Sequence, residues 1–489
     1  MSAKGDVMSY RIGNRNQISL PQCIEEFVSG NDPVRAYDAF VDALDFDQLG
    51  IAINSYKVGN SEYHPKSMLK LLVYGPSYGT RSSRKLERET YHNMSFIWLM
   101  GGLKPDHKTI SRFRRKNKKA LKKVLKLSAR MCIKLDLIAG NVLFVDGTKI
   151  RANASASKTH KKQWYEEKLL KIDQNIEQLL AECETEDQQE SHLESFVKMD
   201  KELTKSEKLK NRILDVLTEF EETDKKRINQ TDSDCANMRS IQGKHASYNV
   251  QSVVDNKNGL IVQAEAVNDA TDQNQFARQI EQAQEITEKH CDIACADAGY
   301  ADAEELEKID SNNTKVIVPC QRQTLHKEQE PFAKQNFTYD RDKDCYYCLE
   351  GHCLAHVSTE KKTGRKRYQI TDKQLCLRCK HWNRCTKSRT CGRRTLRLRN
   401  EDTRERLEAQ YEQPESQEIY ARRKARVEHP FGHLKRNLKI DAFLLRGRDG
   451  VEAETSLMCT CFNIARMITL LGGVPQLVQK LKGITLNPA

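Results

Sequence analysis

The sequence predicts an α/β protein whose core is a mixed β-sheet with helices on its faces, preceded by a helical N-terminal domain. Two patterns carry this prediction: apolar residues at helical spacing over residues 1–135, and short apolar runs alternating with helical stretches over residues 139–155 and 229–320. A further helical stretch, at residues 156–228, separates the two parts of the core. Because the 489 residues exceed what one hydrophobic core usually holds, we expect several domains.

The composition is that of a basic chain. Lys and Arg number 81 against 68 Asp and Glu, a formal net charge of +13, which favours an anionic partner. No apolar run of roughly eighteen residues occurs, which predicts no membrane-spanning helix, and residues 1–45 lack the basic-then-apolar order of a secretion signal. We therefore expect a cytoplasmic protein whose 16 cysteines are reduced, with some of them holding a metal.

The helical N-terminal domain ends in a stretch that is basic throughout. Lys108–Lys134 contains twelve Lys or Arg and no Asp or Glu, so it lacks the i,i+4 ion pairs that stabilise a solvated helix. DNA phosphates would relieve the repulsion between these charges, and we expect Arg112, Arg114 and Arg115 to contact DNA. The alternative is a basic helix that only faces solvent.

The core segments follow one another in a specific order. They are a strand at 142–145 ending at Asp146, a pair of strands at 247–264, a helix at 272–289, a strand at 292–296 ending at Asp297, a helix at 301–309 and a strand at 315–319. Residues 156–228 interrupt this series as a helical hairpin or coiled coil, which we interpret as a structural arm. Without the arm the order is β-β-β-α-β-α-β, that of an RNase H-like core.

Three acidic residues are candidates for one site. Asp146 and Asp297 end strands of the same sheet, where two carboxylates repel unless a cation lies between them, and Mg²⁺ prefers such oxygen ligands. A turn role for each Asp is the alternative, because Asp-Gly is a favoured turn pair. Glu428 lies in Tyr420–Arg448, which has nine Lys or Arg and, besides Glu428, only Asp441 as an acid. That setting suits metal-dependent phosphoryl transfer, with a salt-bridged surface helix as the alternative.

The motifs resemble those of bacterial insertion-sequence DDE transposases, in the branch with a helical N-terminal domain before an RNase H-like core. Ser82–Glu87 and Pro105–Arg114 resemble the N-terminal signature of that family. Val145–Lys149 and Asp297–Tyr300 resemble its first and second catalytic blocks. Each motif is short, and the resemblance is specific because they occur together and in order over about residues 10–470.

The resemblance implies the catalytic chemistry. Asp146, Asp297 and Glu428 would hold two Mg²⁺ (or Mn²⁺) ions, used to cleave DNA at the transposon ends and to join the freed 3′-hydroxyl to target DNA. No Gly-rich phosphate loop of the nucleotide-binding type is present, so we expect no ATP dependence.

The resemblance also implies DNA contacts beside the cut. The third block resembles the signature Tyr-x2-Arg-x3-Glu-x6-Lys, with Lys435 at the expected distance from the Glu and with Tyr420 and Arg423 correctly spaced from each other. The two halves are out of step by one residue, because counting back from the Glu puts Lys424 in the Arg place. The Arg role stays open between Arg423 and Lys424, and all four side chains are expected to bind DNA.

A cysteine-rich insertion, residues 321–400, lies between the second Asp and the Glu. Its two CxxC pairs resemble a zinc ribbon, and the resemblance to the family indicates that four of its cysteines hold a structural Zn²⁺. The alternatives are other ligands of the same stretch, or free thiols throughout. The favoured ligands are Cys348, Cys376, Cys379 and Cys385; the alternatives are Cys345, Cys353, His352, His381 and Cys391.

Three further residues fit local structural roles better. His107 follows a Pro-Asp pair and is interpreted as a cap or DNA contact, and Asp234 as a turn residue. Asp272 is interpreted as a helix cap, although relatives often carry an acid nearby.

The sequence thus predicts a DNA transposase that acts as a homodimer on the terminal inverted repeats of its element and on target DNA. The alternatives are a catalytically silent relic that still binds DNA, and an RNase H-like nuclease that cuts without joining. The expected domains are a helical DNA-binding domain (1–135), a core in two parts (139–155 and 229–320), the arm (156–228), the cysteine-rich insertion (321–400) and C-terminal helices with Glu428 (401–489).

Overall fold

The computed structural model describes residues 23–53, 62–187, 193–240, 243–310, 313–324 and 331–484. The chain forms two compact units. One unit comprises Met1–Asn117 with Ile464–Ala489, and the other comprises Lys118–Asn463.

Helices occur in both units. They are α1 (Val34–Asp42), α2 (Phe46–Leu49), α3 (Pro65–Tyr74), α4 (Ser83–His92), α5 (Met94–Leu99), α6 (His107–Lys116), α7 (Lys118–Lys134), α8 (Lys162–Asp187), α9 (Leu193–Glu222), α10 (Phe276–Thr287), α11 (Ala303–Asp310), α12 (Gln321–Thr324), α13 (Lys373–Leu377), α14 (Glu401–Glu412), α15 (Pro414–Gly432), α16 (Arg448–Leu470) and α17 (Val474–Lys482).

The strands all belong to the second unit. They are β1 (Val142–Arg151), β2 (Thr159–His160), β3 (Ile228–Asn229), β4 (Ala236–Ser240), β5 (Gly243–Asp255), β6 (Ile261–Val267), β7 (Ile293–Cys295), β8 (Lys315–Ile317), β9 (Thr338–Asp340), β10 (Cys345–Tyr347), β11 (Cys353–Thr359), β12 (Lys366–Ile370) and β13 (Arg394–Arg397).

The first unit is helical over its described residues, which confirms the predicted helical N-terminal region. Its core contains the fully buried aromatic side chains Phe40, Tyr74 and Phe96. Asp106 begins α6 as an N-cap, since its carboxylate accepts hydrogen bonds from two backbone N–H groups of the first turn, at 2.7 and 2.9 Å.

In the described part of the chain no single helix is long and apolar enough to cross a membrane; α16 and α17 pass that test only as a pair, bent by 106° at their junction.

The central sheet of the second unit is mixed, as the sequence predicts. Its strand order is β4-β5-β1-β7-β8, with β6 also paired to β5. β1 runs antiparallel to β5 and parallel to β7, and β8 is parallel to β7. The long β5 is almost wholly buried because it pairs along both edges and carries Val250, Val253 and Val254 into the core.

The first core strand is longer than predicted. The expectation that it ends at Asp146 is wrong, because β1 continues to Arg151 and pairs with β5 over nine residues, from Leu143↔Asp255 to Arg151↔Ser247. Its other edge pairs with β7 only from Val142 to Phe144. Asp146 therefore lies in the part of β1 that still pairs with β5 but no longer pairs with β7.

Helices α8 and α9 form the arm, which leaves the core and returns to it at neighbouring positions. The short strands β2 and β3 pair at its base. Tyr165 is fully buried there and donates a hydrogen bond to the carbonyl of Ile228, at 2.9 Å, within an apolar cluster that also includes Ile172 and Ile213. The base of the arm is thus closed by backbone pairing and by its own small core.

The cysteine-rich segment contains a five-stranded antiparallel sheet with the order β13-β12-β11-β10-β9. The buried side chains of Phe337, Tyr346, Leu354, Tyr368 and Ile370 form its core, and three cysteines pack against them.

We predict that Gly392→Ala destabilises this sheet by about 2 kcal/mol or more. Gly392 has φ of +62°, and a Cβ there would lie 2.5 Å from Cγ2 of Ile370 and 3.2 Å from Sγ of Cys376. Gly351→Ala is the matched control, because Gly351 has φ of +77° with nothing within 4 Å. Hydrogen–deuterium exchange of β12 should rise clearly more for the first variant; equal effects would contradict the steric argument.

Candidate active site

Asp146 and Asp297 lie side by side at the edge of the central sheet. The last parallel pair between β1 and β7 is Phe144↔Cys295, and each Asp follows its member of this pair by two residues. Asp297 also accepts a hydrogen bond from the Gly299 N–H at 2.8 Å, which begins a short 3-10 turn. The register therefore brings the two carboxylates together even though 150 residues separate them in the sequence.

Arg423 of α15 lies between the two carboxylates. Its guanidinium is 3.5 Å from Asp146 and 3.8 Å from Asp297, and its side chain is only 12% exposed. Burial raises the pKa of Asp146 to about 6; Arg423 opposes this shift, and the negative charges of Asp297 and Asp272 add to it. The carboxylates of Asp146 and Asp297 together thus carry more negative charge than the single guanidinium of Arg423 balances.

Two more residues of the predicted signature face this site. Lys435 donates a hydrogen bond from Nζ to Oγ1 of Thr148, two residues after Asp146 on β1. Burial lowers the pKa of Lys435, although the charge of Asp146 opposes the shift. The Tyr420 ring lies 5.6 Å from the Arg423 guanidinium. Of the two candidates for the Arg role, Arg423 lies near both aspartates and Lys424 is exposed.

Glu428 is placed differently from the two aspartates. It is exposed on α15, and five residues on an α-helix rotate it by about 140° from Arg423. Pro430 lies inside α15, and a five-residue π turn, His433–Asn437, follows the helix and carries Lys435. Such turns change the rotation per residue, so Lys435 meets β1 while Glu428 stays exposed. The structure brings together Asp146, Asp297, Arg423 and Lys435, and does not bring Glu428 to them.

A third carboxylate near the pair is Asp272, which the sequence interpretation assigned to a helix cap. Its Oδ1 accepts hydrogen bonds from Asn249 and Gln251 of β5, both at 2.7 Å. A Cβ on Gly147 would lie 2.8 Å from the same oxygen, so only glycine lets Asp272 come this close to β1. The signal in the sequence was the pair Asn249 and Gln251, two amide side chains in the buried part of β5.

The cations of the basic stretch Lys108–Lys134 have different environments in the structure. Arg112 and Arg115 are exposed on α6, but Arg114 is 8% exposed and donates to the carbonyl of Arg81 at 3.0 Å. The guanidinium of Arg114 is therefore engaged within its own unit, and its contact with DNA stays a prediction. In α7, Lys126 pairs with Glu285 of α10 at 2.6 Å, and Arg130 pairs with Glu288, the residue after α10, at 2.8 Å.

The four favoured cysteines line one small cavity of about 30 Å³. Two of their sulfurs accept backbone N–H groups at 3.4 Å, Cys376 from Arg393 and Cys379 from His381. Burial raises the pKa of Cys376, as do the neighbouring thiols of Cys348 and Cys379. Of the alternative ligands, His352 and His381 line the same cavity and Cys345, Cys353 and Cys391 do not.

Neither cluster has the close geometry of a metal site. Among the residues that the structure describes, no group of three or more His, Cys, Asp or Glu side chains is arranged to hold a metal ion. The donor chemistry is nevertheless distinct at the two places. Carboxylate oxygens of the sheet edge fit a hard cation such as Mg²⁺, and four thiols around one cavity fit Zn²⁺.

Comparison with family models gives two matches. Residues 22–116 match the model described as Transposase domain (DUF772), and residues 347–468 match the model described as Transposase DDE domain. The second match includes β11, β12 and β13 of the cysteine-rich sheet and Glu428, whereas β9, Asp146 and Asp297 lie outside it. The search of curated proteins gives no match.

Both matches are to transposase domains, which supports a transposase, an enzyme class that acts on DNA. Together they confirm the resemblance drawn from the motifs, which is to insertion-sequence transposases of the DDE class.

Proposed function

We propose that this transposase cleaves DNA at the ends of its element and joins the freed 3′-hydroxyl to target DNA in a reaction that needs a divalent metal. The observation that carries the proposal is the pairing of Asp146 and Asp297 by strand register, with Arg423 and Lys435 beside them. The order of β1, β5, β6, β7 and β8 supports an RNase H-like core, with two antiparallel strands followed by two parallel ones.

Asp146 and Asp297, with Glu428 as the third acid, would hold the Mg²⁺ ions. When bound, these ions would supply charge neutralisation at the phosphate and activation of the attacking oxygen. In cleavage, the oxygen of water forms a bond to phosphorus, the bond to the 3′-oxygen breaks, and that oxygen takes up a proton. In joining, the freed 3′-hydroxyl gives up its proton as its oxygen bonds to a target phosphorus; the bond from that phosphorus to the target's own 3′-oxygen breaks, and that oxygen takes up a proton.

The cations of α15 and the π turn would bind the DNA backbone at the site. Arg423 is charged at every physiological pH and already faces the two acids, so it can hold a phosphate oxygen beside them. Lys435 donates a hydrogen bond to Thr148 of β1, two residues after Asp146, and adds a second positive charge there. Tyr420 limits the movement of Arg423 by packing against it.

A strand-transfer assay tests this function against its alternatives. Purified protein, Mg²⁺ and labelled DNA carrying both ends of the element should give cleaved ends and then joined products. A silent relic would bind without cutting, and a nuclease would stop at cleaved ends. A second reaction with pre-cleaved ends isolates joining, because it supplies the 3′-hydroxyl directly.

We also propose a structural zinc ion held by Cys348, Cys376, Cys379 and Cys385. The support is the cavity that all four line and the two N–H···S hydrogen bonds, which stabilise thiolate charge. A zinc ion there would tie α13 to the core of the five-stranded sheet.

Cys376→Ser is expected to remove the zinc and to loosen that sheet. Wild-type protein should contain about one zinc per chain, the variant close to none, and hydrogen–deuterium exchange of β12 and β13 should rise. Cys391→Ser is the control, because Cys391 does not line the cavity. Zinc-free wild-type protein with freely titratable thiols would overturn the assignment.

A further inference from the structure

The turn between β11 and β12, together with the first two residues of β12, carries a concentrated positive charge. Residues 360–367 contain Lys361, Lys362, Arg365, Lys366 and Arg367 against a single acid, Glu360. Glu360 is occupied within the turn, where it accepts a hydrogen bond from Thr363, and Lys366 pairs with Asp344 at 3.1 Å. The remaining four cations, together called the hairpin cations here, are exposed and form no ion pair with any described residue.

This turn borders a cleft whose lining includes Ala298, the residue after Asp297. The cleft has a volume of about 560 Å³, and its lining also includes Ala301 and, from the turn, Thr363 and Arg365. The protein therefore places a positively charged turn in the lining of a cleft that also includes the residue next to a proposed catalytic acid.

Arg399 extends the same positive surface along the cleft. It lines the cleft and lies 3.6 Å from the position that a Cβ on Gly364 would take, so its side chain and the tip of the turn are in contact range. The other arginine of the lining, Arg404, is already paired with Glu408 at 2.9 Å. Arg365 and Arg399 are thus the lining cations left available to an anion within the described chain.

The chemistry of this surface indicates which anion it takes. Lysine and arginine side chains on a turn reach phosphate oxygens, and such contacts fix a backbone without reading its sequence. The tip, residues 361–365, contains no Asn or Gln to pair with adenine, and its long cations are suited to the phosphates that every duplex presents. Target DNA, rather than a defined repeat, is the partner that requires contacts of this kind.

We propose that the hairpin cations and Arg399 form a docking surface for the backbone of target DNA. A backbone held there would lie along the cleft whose lining includes Ala298, the residue after Asp297. This inference rests on the proposed function for its partner, and it adds the surface by which that partner is held.

Equilibrium binding without metal tests the proposal separately from catalysis. The probe is a fluorescently labelled 30-base-pair duplex of random sequence, titrated with full-length protein in EDTA over a range of salt concentrations. The triple variant Lys361→Ala, Lys362→Ala, Arg365→Ala should bind about tenfold or more weakly at 0.15 M salt, and the slope of log K against log salt should fall by about 2 to 3.

The matched control is Lys201→Ala, Lys205→Ala, Lys208→Ala, which removes three exposed cations from α9 of the arm. It should bind the duplex as the wild type does. Equal losses in both variants, or no loss in the hairpin variant, would overturn the proposal. Circular dichroism and melting temperature establish that both variants are folded. Because no cleavage is measured, a catalytically silent chain would disprove the proposed function and leave this result intact.

Discussion

Asp146→Asn and Asp297→Asn are each expected to reduce cleavage at the element's ends by at least about a thousandfold, roughly 4 kcal/mol in the activation free energy. Each variant keeps the size of the side chain and removes the charge that faces Arg423 and a bound cation. DNA binding should be retained, because the cations of the site are untouched. Cleavage is measured under single-turnover conditions, and binding by fluorescence anisotropy.

Glu428→Gln is expected to match these two variants if Glu428 completes the site when DNA and metal bind. It needs a separate measurement because Glu428 is exposed and apart from the aspartates. Normal joining by any one of the three variants would remove that residue from the catalytic set. Restored activity with excess Mn²⁺ would place the residue at the cation rather than at the DNA.

Asp272→Asn is expected to weaken Mn²⁺ binding about tenfold, with a matching loss of cleavage at limiting metal. Asp272 adds negative charge beside Asp146, and its Oδ1 accepts two amide hydrogen bonds that an Asn side chain can also accept. The substitution therefore removes charge while leaving the local packing in place. Isothermal titration with Mn²⁺ measures the affinity without any requirement for activity.

Asp269→Asn is the matched control for that experiment. Asp269 is exposed three residues earlier in the same loop and accepts a hydrogen bond from Gln275 at 2.6 Å, which Asn can also accept. Its Mn²⁺ affinity should equal that of the wild type. An unchanged affinity for Asp272→Asn would show that this carboxylate only supports β5.

Most core elements could be predicted because their signals are local. The turn after β5, residues 255–259, and the short apolar runs of β7 and β8 lie where the sequence indicates. The end of β1 could not be predicted, because it depends on pairing with β5, which lies about 100 residues later. A strand boundary set by a distant partner leaves no mark in the neighbouring residues.

The candidate site was predictable to a similar degree. Motif spacing indicated Asp146, Asp297 and Arg423; strand register brings the two aspartates together, and helix α15 brings Arg423 to them. Asp272 was missed because an acid before a helix looks like a cap, and only its distance to β5 gives it another role. The basic charge of α7 was misleading for a related reason, since its acidic partners, Glu285 and Glu288, lie more than 150 residues away.

The short ladder between β2 and β3 has a consequence for how such proteins vary. The chain re-enters the core beside the point where it left. The number of residues between β2 and β3 therefore does not affect the register of β1 with β7. Evolution could lengthen, trim or replace α8 and α9 without moving either aspartate. The number of residues between the two acids in the sequence can therefore vary while the distance between them in space stays the same.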